Sequence, residues 1–502
     1  MRAPLIQRPQ RSVTHHTRER GVTMALVALA IVGILAMAAL SIDVGTLYEA
    51  SAEAQRAADA GALAAARTIS MQGLTADPNN SASSWQLICD GETSPASLAA
   101  QTVAQQVLIG GAAASTIKVY YGTNAGVGTN ENCSGFAGGA FGVNPVVQVY
   151  VQQAKLPTFF SRVFGLISGG SPSNSGVSAT ATAEVFNPSN SGAYSASESV
   201  VPIQPRCVKP WIVPNADPRH PATCTGTAAN PCSQFVNPTT GQIQTPGPFA
   251  SGGIIGERVF LQPDCSATGS TCNPLPNNPP QANPPALQYV PGQASFPVSV
   301  PIAIPTSGPT CGSVTSPYAQ AIAGCDQTTV YQCGVAAGGG NGNYVDLSEN
   351  PSYTGSADTQ NGVQCLINQT SSSTANPSGQ DILYPGGLPP PSYPFQIQAG
   401  SSSPLVTAGV TAGNEITSSA SIVSLPIYDS YPGIPINGSG TTNVTIVGFL
   451  QVFINAVDPV NGMDVTVMNV SGCGNAVASG TQALFGTSPV PVRLITTPPP
   501  SN

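Results

Sequence analysis

Charge is scarce in this chain. Only 8% of its 502 residues are Asp, Glu, Lys or Arg, against about a quarter in an ordinary globular protein. Histidine is scarcer: there are three, and His15 and His16 stand together near the N-terminus. That leaves His220 alone for the rest of the chain, so a two-histidine zinc site is excluded there, and His-Glu-x-x-His is absent. Set in Asp217-Pro-Arg-His220-Pro-Ala-Thr-Cys224, His220 reads as an exposed loop residue rather than a catalytic base. No Gly-x-x-x-x-Gly-Lys-Ser/Thr occurs, and Lys118, Lys155 and Lys209 lack the glycine framework that cradles phosphate. Gly126-x-Gly128 and the Gly338–Gly342 cluster fail the dinucleotide spacing, so they are loop glycines and no nucleotide is expected. Carboxylates such as Asp90 and Glu92 would serve a glycosidase only if the fold set them about 5–10 Å apart in a cleft. Two tryptophans give few platforms for stacking sugars. The expectation is no catalytic residue, no metal and no cofactor.

In place of charge the chain carries 53 glycines and 48 prolines, the composition of a β-rich or loop-rich exported protein. Residues 1–20 hold Arg2, Arg8, Arg11, Arg18 and Arg20 against Glu19, a net +4, while the remainder sums to −12. An acidic body disfavours nucleic acid as a partner. From Val22 to Ile42 the chain runs VTMALVALAIVGILAMAALSI without a charge, enough helix to span the roughly 30 Å hydrocarbon core of a bilayer. The positive-inside rule predicts a cytoplasmic N-terminus, with residues 43–502 outside the inner membrane, periplasmic or at the cell surface. The rival reading is a cleaved signal, for which Ala36-Met37-Ala38 has the small-x-small form. The apolar run exceeds the roughly 7–15 residues of a signal core, which favours a retained anchor.

The twelve cysteines are Cys89, Cys133, Cys207, Cys224, Cys232, Cys265, Cys272, Cys311, Cys325, Cys333, Cys365 and Cys473. They are even in number, spread out and free of Cys-x-x-Cys pairs, which points to structural disulfides in an oxidising compartment. Cys89 with Cys133 is a plausible pair, because they alone precede the proline-rich half.

The expected fold class is α+β: a single N-terminal transmembrane helix continuing into an Ala-rich helix, a small α+β domain, then a disulfide-stapled, mostly-β, loop-rich C-terminal region. The divisions are 1–20 (basic stub), 21–43 (transmembrane helix), 44–72 (Ala-rich helix), 73–190 (α+β) and 191–502 (Cys/Pro/Gly-rich). Ala54, Ala57, Ala58, Gly61, Ala62 and Ala65 recur at helical spacing, and such a small-residue face lets another backbone approach closely. Ser94–Gly110 predicts a helix, and Ile117–Tyr121 and Val147–Val151 predict strands. Lys155–Ile167 predicts a short helix carrying Phe159, Phe160, Val163 and Phe164. In 177–185, Val and Ala alternate with Ser, Thr and Glu, a period-two strand. Beyond about residue 190, where 40 of the prolines and ten of the cysteines fall, helical periodicity nearly vanishes. Thr445–Ala456 and Val465–Val470 around Asp458-Pro-Val-Asn-Gly462 predict a β-hairpin.

Arg20-Gly21 before the span, Ser41-Ile42-Asp43-Val44-Gly45 at its exit, Tyr48, and the string from Ala54-Gln55-Arg56-Ala57-Ala58-Asp59-Ala60-Gly61-Ala62 to Ala66 resemble the Tad-type (Flp) pilus-assembly family, in particular its TadG-like members. Pro157–Gly165 and Val177–Ala183 extend the resemblance to roughly residues 18–186. It implies a non-enzymatic role in assembling or anchoring a surface pilus, with adhesion and biofilm formation as the outcome. Pilus-assembly proteins or pilin-like subunits are the implied partners. Asp43, Tyr48, Gln55, Ala58, Asp59, Gly61 and Ala62 are the implied partner-contact residues. Leu26 stands where processed pseudopilins of the family have Glu, so Gly21 is not expected to be a prepilin cleavage site. The Asp-x-Ser-x-Ser site of the von Willebrand A domain is absent; the nearest string, Asp346-Leu-Ser348-Glu-Asn350, predicts a turn. The alternative function is a tethered or secreted extracytoplasmic hydrolase or adhesin.

Overall fold

The structure is a computed structural model that describes residues 19–78, 83–123, 126–136, 140–156, 176–193, 203–221, 224, 231–263, 285–292, 311–326, 329–332, 343–347, 358–370, 378–384, 394–430, 436, 440–458, 461–473 and 484–496. The helix expected around Phe159 to Phe164, the cysteines 265, 272 and 333, Ser348–Asn350, the stub before residue 19 and the tail beyond 496 lie outside the described residues.

The longest element is α1 (Glu19–Met71), 53 residues with no proline to interrupt its hydrogen-bond ladder. Its second half packs on a five-stranded antiparallel sheet and on α2 (Pro95–Gln106). Pro95 supplies a pre-set φ in the first turn of α2, and the helix stops where Val107 adopts an extended conformation. The sheet contains β1 (Thr116–Thr123), β2 (Gly126–Val127), β3 (Val146–Gln153), β4 (Val177–Val185) and, from the far end of the chain, β11 (Val492–Ile495). Its order is β11-β4-β3-β1-β2. β4 alternates as expected only in its first half. From Ala181 onward both faces are buried, over the stretch where β11 pairs with Thr182–Val185. An Arg493–Glu184 ion pair accompanies that pairing.

Six strands close into a barrel: β5 (Trp211–Pro214), β6 (Arg258–Pro263), β7 (Ala286–Pro291), β8 (Ile422–Tyr428), β9 (Ile446–Asp458) and β10 (Gly462–Gly472), in the order β8-β9-β10-β6-β7-β5. Closure leaves this sheet without a free edge. The predicted hairpin is β9–β10, paired from Asp458↔Gly462 to Gly448↔Gly472 with two register shifts. Gly462 sits at φ 101°, in the left-handed region that glycine enters without strain. Trp211, Leu261, Tyr289, Leu425, Phe453 and Val465 are among the buried apolar side chains of the barrel core.

Among the described residues, the C-terminal region also has the helices α3 (Pro317–Ala323) and α4 (Asp358–Ile367) and a single helical turn at Pro404–Thr407. Seven and ten residues are too few to show a helical period, and Gly362 weakens the propensity of α4. That glycine has a packing reason: a Cβ there would lie 2.9 Å from Ile322 and 3.0 Å from the Ala319 carbonyl. The described disulfides are Cys89–Cys133, as the sequence suggested, with Cys207–Cys325, Cys224–Cys232 and Cys311–Cys365; Cys473 is also disulfide-bonded.

Candidate functional site on the long helix

The two halves of α1 face different surroundings. Thr23 to Ile42 presents Met24, Leu29, Val32, Leu35 and Met37 outward, each more than 60% exposed. This is one N-terminal helix long and apolar enough to cross a membrane. From Ala50 onward the same helix buries Ala50, Ala54, Ala57, Ala58, Ala62 and Ala65 to 2% exposure or less. The stripe of small side chains brings α1 so near its neighbours that a Cβ on Gly61 would meet the Ala100 carbonyl at 3.1 Å and Val149 Cγ1 at 3.3 Å. No proline interrupts the helix between the two halves, and it runs on through Gly45, around which there is open space.

The residues implied as partner contacts divide by burial. Ala58, Gly61 and Ala62 face inward, so the close approach they permit is made within the chain, to α2 and β3. Asp43, at the exit of the apolar half, is 3% exposed, and Thr46 Oγ1 donates to its backbone carbonyl at 2.8 Å. Gln55 donates through Nε2 to Asp59 Oδ1 at 2.8 Å and to the Thr180 carbonyl at 3.4 Å, which ties the helix to β4. Tyr48 is 76% exposed and flanked by exposed Glu49. The outward residues here include Tyr48, Glu49, Ser51, Ala52, Gln55 and Arg56, about two to four turns beyond the apolar span.

A second set of residues, which sequence reasoning missed, joins this helix-and-sheet unit to the barrel. Asn187 Nδ2 donates to the Val470 carbonyl at 2.9 Å and to Thr75 Oγ1 at 3.2 Å. Asn190 Nδ2 donates to the carbonyls of Thr75 and Val143, both at 2.9 Å. Asn469 Nδ2 donates to the Ser70 carbonyl at 2.8 Å, and Gly472 N–H to Ser189 Oγ at 2.6 Å. All of these side chains are buried. Buried amides whose donors are satisfied across a seam specify one relative placement of the two units, since a slip would orphan several groups together. The only outward signal is a polar Pro-Ser-Asn-Ser run after β4, which looks like any loop.

The exposed-loop reading of His220 is corrected. Its side chain is 19% exposed, and Nδ1 lies 2.7 Å from Asp217 Oδ2. Asp217 and Glu257 beside it are fully buried. The loop is pinned by Asp217 N–H to the Ser233 carbonyl (2.7 Å), by Ser233 N–H to the His220 carbonyl (2.6 Å), and by the Cys224–Cys232 disulfide. The hydrogen bond to Asp217 holds the imidazole pKa above its ordinary value, while burial next to Asp217 pushes the Glu257 carboxyl well up.

One apolar helix running unbroken into a disulfide-stapled folded region defines a class: a protein with, among the described residues, one candidate membrane span that is continuous with a helix packed into its folded core. Residues 21–68, the part of α1 that carries both halves of this design, match the Tad family model, described as "Putative Flp pilus-assembly TadE/G-like". The match covers about a tenth of the chain and places the TadE/G-like Flp pilus-assembly segment on α1. No curated protein and no solved structure matches the chain.

Proposed function

We propose that this protein is a non-enzymatic component of Flp (Tad-type) pilus assembly, held in the bacterial inner membrane by the first half of α1 with its ectodomain outside. The observation that carries the reading is the continuity of α1. Lipid-facing residues such as Leu35 and core residues such as Ala54 belong to one helix, so force or position at the membrane passes to the ectodomain without a hinge. A tethered enzyme has no need of that coupling and is usually served by a flexible linker. The basic stub supports a cytoplasmic N-terminus. Tyr48, Glu49, Gln55 and Arg56 form the surface offered to pilus-assembly proteins or pilin-like subunits, and adhesion and biofilm formation follow from the pilus.

The test is a photo-reactive residue at Tyr48 of the C-terminally tagged chain in its own bacterium. Crosslinks to Flp pilus components, on a full-length membrane-bound protein degraded by protease added to spheroplasts, support the reading. A shortened soluble product, or a Tyr48 that crosslinks only to lipid, contradicts it.

A further inference from the structure

Asp217, His220 and Glu257 converge although the chain separates Glu257 from the other two by some forty residues. Asp217 and His220 lie in the loop after β5, and Glu257 immediately precedes β6. One ligand-capable atom from each lies within 4.8 Å of the others. His220 Nδ1 is 2.7 Å from Asp217 Oδ2 and 4.0 Å from Glu257 Oε2. Arg219 Nε stands 3.8 Å from Glu257 Oε1. That guanidinium is committed elsewhere: Nε and Nη2 donate to the Arg258 carbonyl at 3.3 and 3.0 Å, and the group lies 5.1 Å over the Phe249 ring.

Glu257 is 0% exposed, and neither carboxylate oxygen has a hydrogen bond among the described residues. A buried carboxylate beside a second carboxylate, with only a guanidinium shared among other acceptors 3.8 Å away, costs several kcal/mol unless a further cation or a proton stands between them. The Gly252 backbone also lies beside the imidazole and helps hold its pKa above the ordinary value. Ligand atoms around a tetrahedral zinc ion at about 2.0–2.1 Å lie roughly 3.2–3.5 Å apart. The 2.7 and 4.0 Å separations here bracket that spacing, and with all three ligand atoms within 4.8 Å of one another, side-chain shifts of roughly half an ångström to one ångström complete the geometry. Two carboxylates with an imidazole suit zinc better than calcium or magnesium, which prefer all-oxygen shells.

We propose that Asp217, His220 and Glu257 form a Zn²⁺-class divalent metal site that clamps the disulfide-pinned 215–221 loop to the start of β6. Three protein ligands leave one position for water, with Asp217 and Glu257 fully buried and His220 19% exposed. The site is independent of the pilus reading, and neither stands or falls with the other.

The experiment is calorimetric titration of ZnCl₂ into the full-length, chelator-treated protein in detergent. A second measurement replaces Zn²⁺ with Co²⁺ and reads its visible absorption bands. The expected result is one ion per chain at micromolar Kd or tighter, weakened about 30-fold or more by His220→Gln and by Glu257→Gln. Variants are scored only when their circular dichroism and disulfide content match the parent. His15→Gln/His16→Gln is expected to leave this binding unchanged, which separates it from capture by the N-terminal histidine pair. The proposal is overturned if Zn²⁺ binds no more tightly than about 1 mM. It is equally overturned if folded His220→Gln and Glu257→Gln bind as the parent does. No zinc binding together with a Glu257→Gln variant more stable than the parent would assign the pair to a shared proton instead.

Discussion

Gln72 and Phe395, 323 positions apart, exchange two hydrogen bonds: the Gln72 Nε2 amide donates to the Phe395 carbonyl at 2.6 Å, and Gln72 Oε1 accepts the Phe395 N–H at 2.5 Å. A side chain just past the C-terminus of α1 therefore pairs with the backbone of the C-terminal region as a strand would. With the asparagine seam beside it, this fixes the barrel to the same helix that carries the apolar span.

Gln72→Ala removes these two hydrogen bonds to the Phe395 backbone while leaving Phe395 buried. The expected loss is about 2–4 kcal/mol of unfolding free energy, read by denaturant titration of the purified protein, because unsatisfied buried donors and acceptors retain their desolvation cost. A loss under about 0.5 kcal/mol would mean that water reaches the peptide and the clamp is not structural.

Gly61→Val places a branched side chain where a Cβ alone would stand 3.1 Å from the Ala100 carbonyl and 3.3 Å from Val149. Overpacking of this kind costs about 1–3 kcal/mol. The variant is expected to loosen α2 first, seen as faster amide exchange in residues 95–106. Unchanged exchange there would contradict the helix–helix contact.

Lys209 is fully buried, and its Nζ donates to the carbonyls of Ile322 and Gly324 at 2.7 and 2.6 Å. Burial pushes its pKa down to about 7, opposed by Asp326. The unfolded chain holds this proton up to its ordinary value near 10.5, so above pH 7 the unfolded state binds more protons than the folded one. Stability should therefore rise with pH between 7 and 9, by up to about 1.4 kcal/mol per pH unit from this group. Lys209→Met should flatten that slope; an unchanged slope would refute the assignment.

Cys89→Ala/Cys133→Ala opens a bridge across a separation of 44 residues. The loop-entropy relation gives about 4 kcal/mol for that loop. The expected outcome is a fall in Tm of the helix-and-sheet unit, with Trp85 near the bridge becoming exposed to quencher.

Much of this architecture was legible where a residue pattern has a period. Ala54, Ala58, Ala62 and Ala65 announced a buried helical face, and the Gly462 turn announced the β9–β10 hairpin. What was hidden lacks a local signal. β11 is four residues, Val-Arg-Leu-Ile, and its strand identity comes wholly from β4, some three hundred positions earlier. The Asp217–His220–Glu257 cluster depends on barrel closure bringing the approach to β6 beside the loop after β5. His220 in isolation, between a proline-flanked arginine and a proline, looks like a loop residue. The seam amides Asn187, Asn190 and Asn469 are polar, and polarity in sequence reads as exposure until a partner surface covers it.

If an anchored α1 serves Flp pilus assembly, the protein must be needed for pili to form. The most direct test deletes the gene in its own bacterium and counts assembled pili by electron microscopy, with two complementing genes. The account predicts that pili are lost, that the full-length chain restores them, and that the same ectodomain released behind a cleavable signal peptide does not. Normal pili without the protein, or full rescue by the released ectodomain, would contradict it.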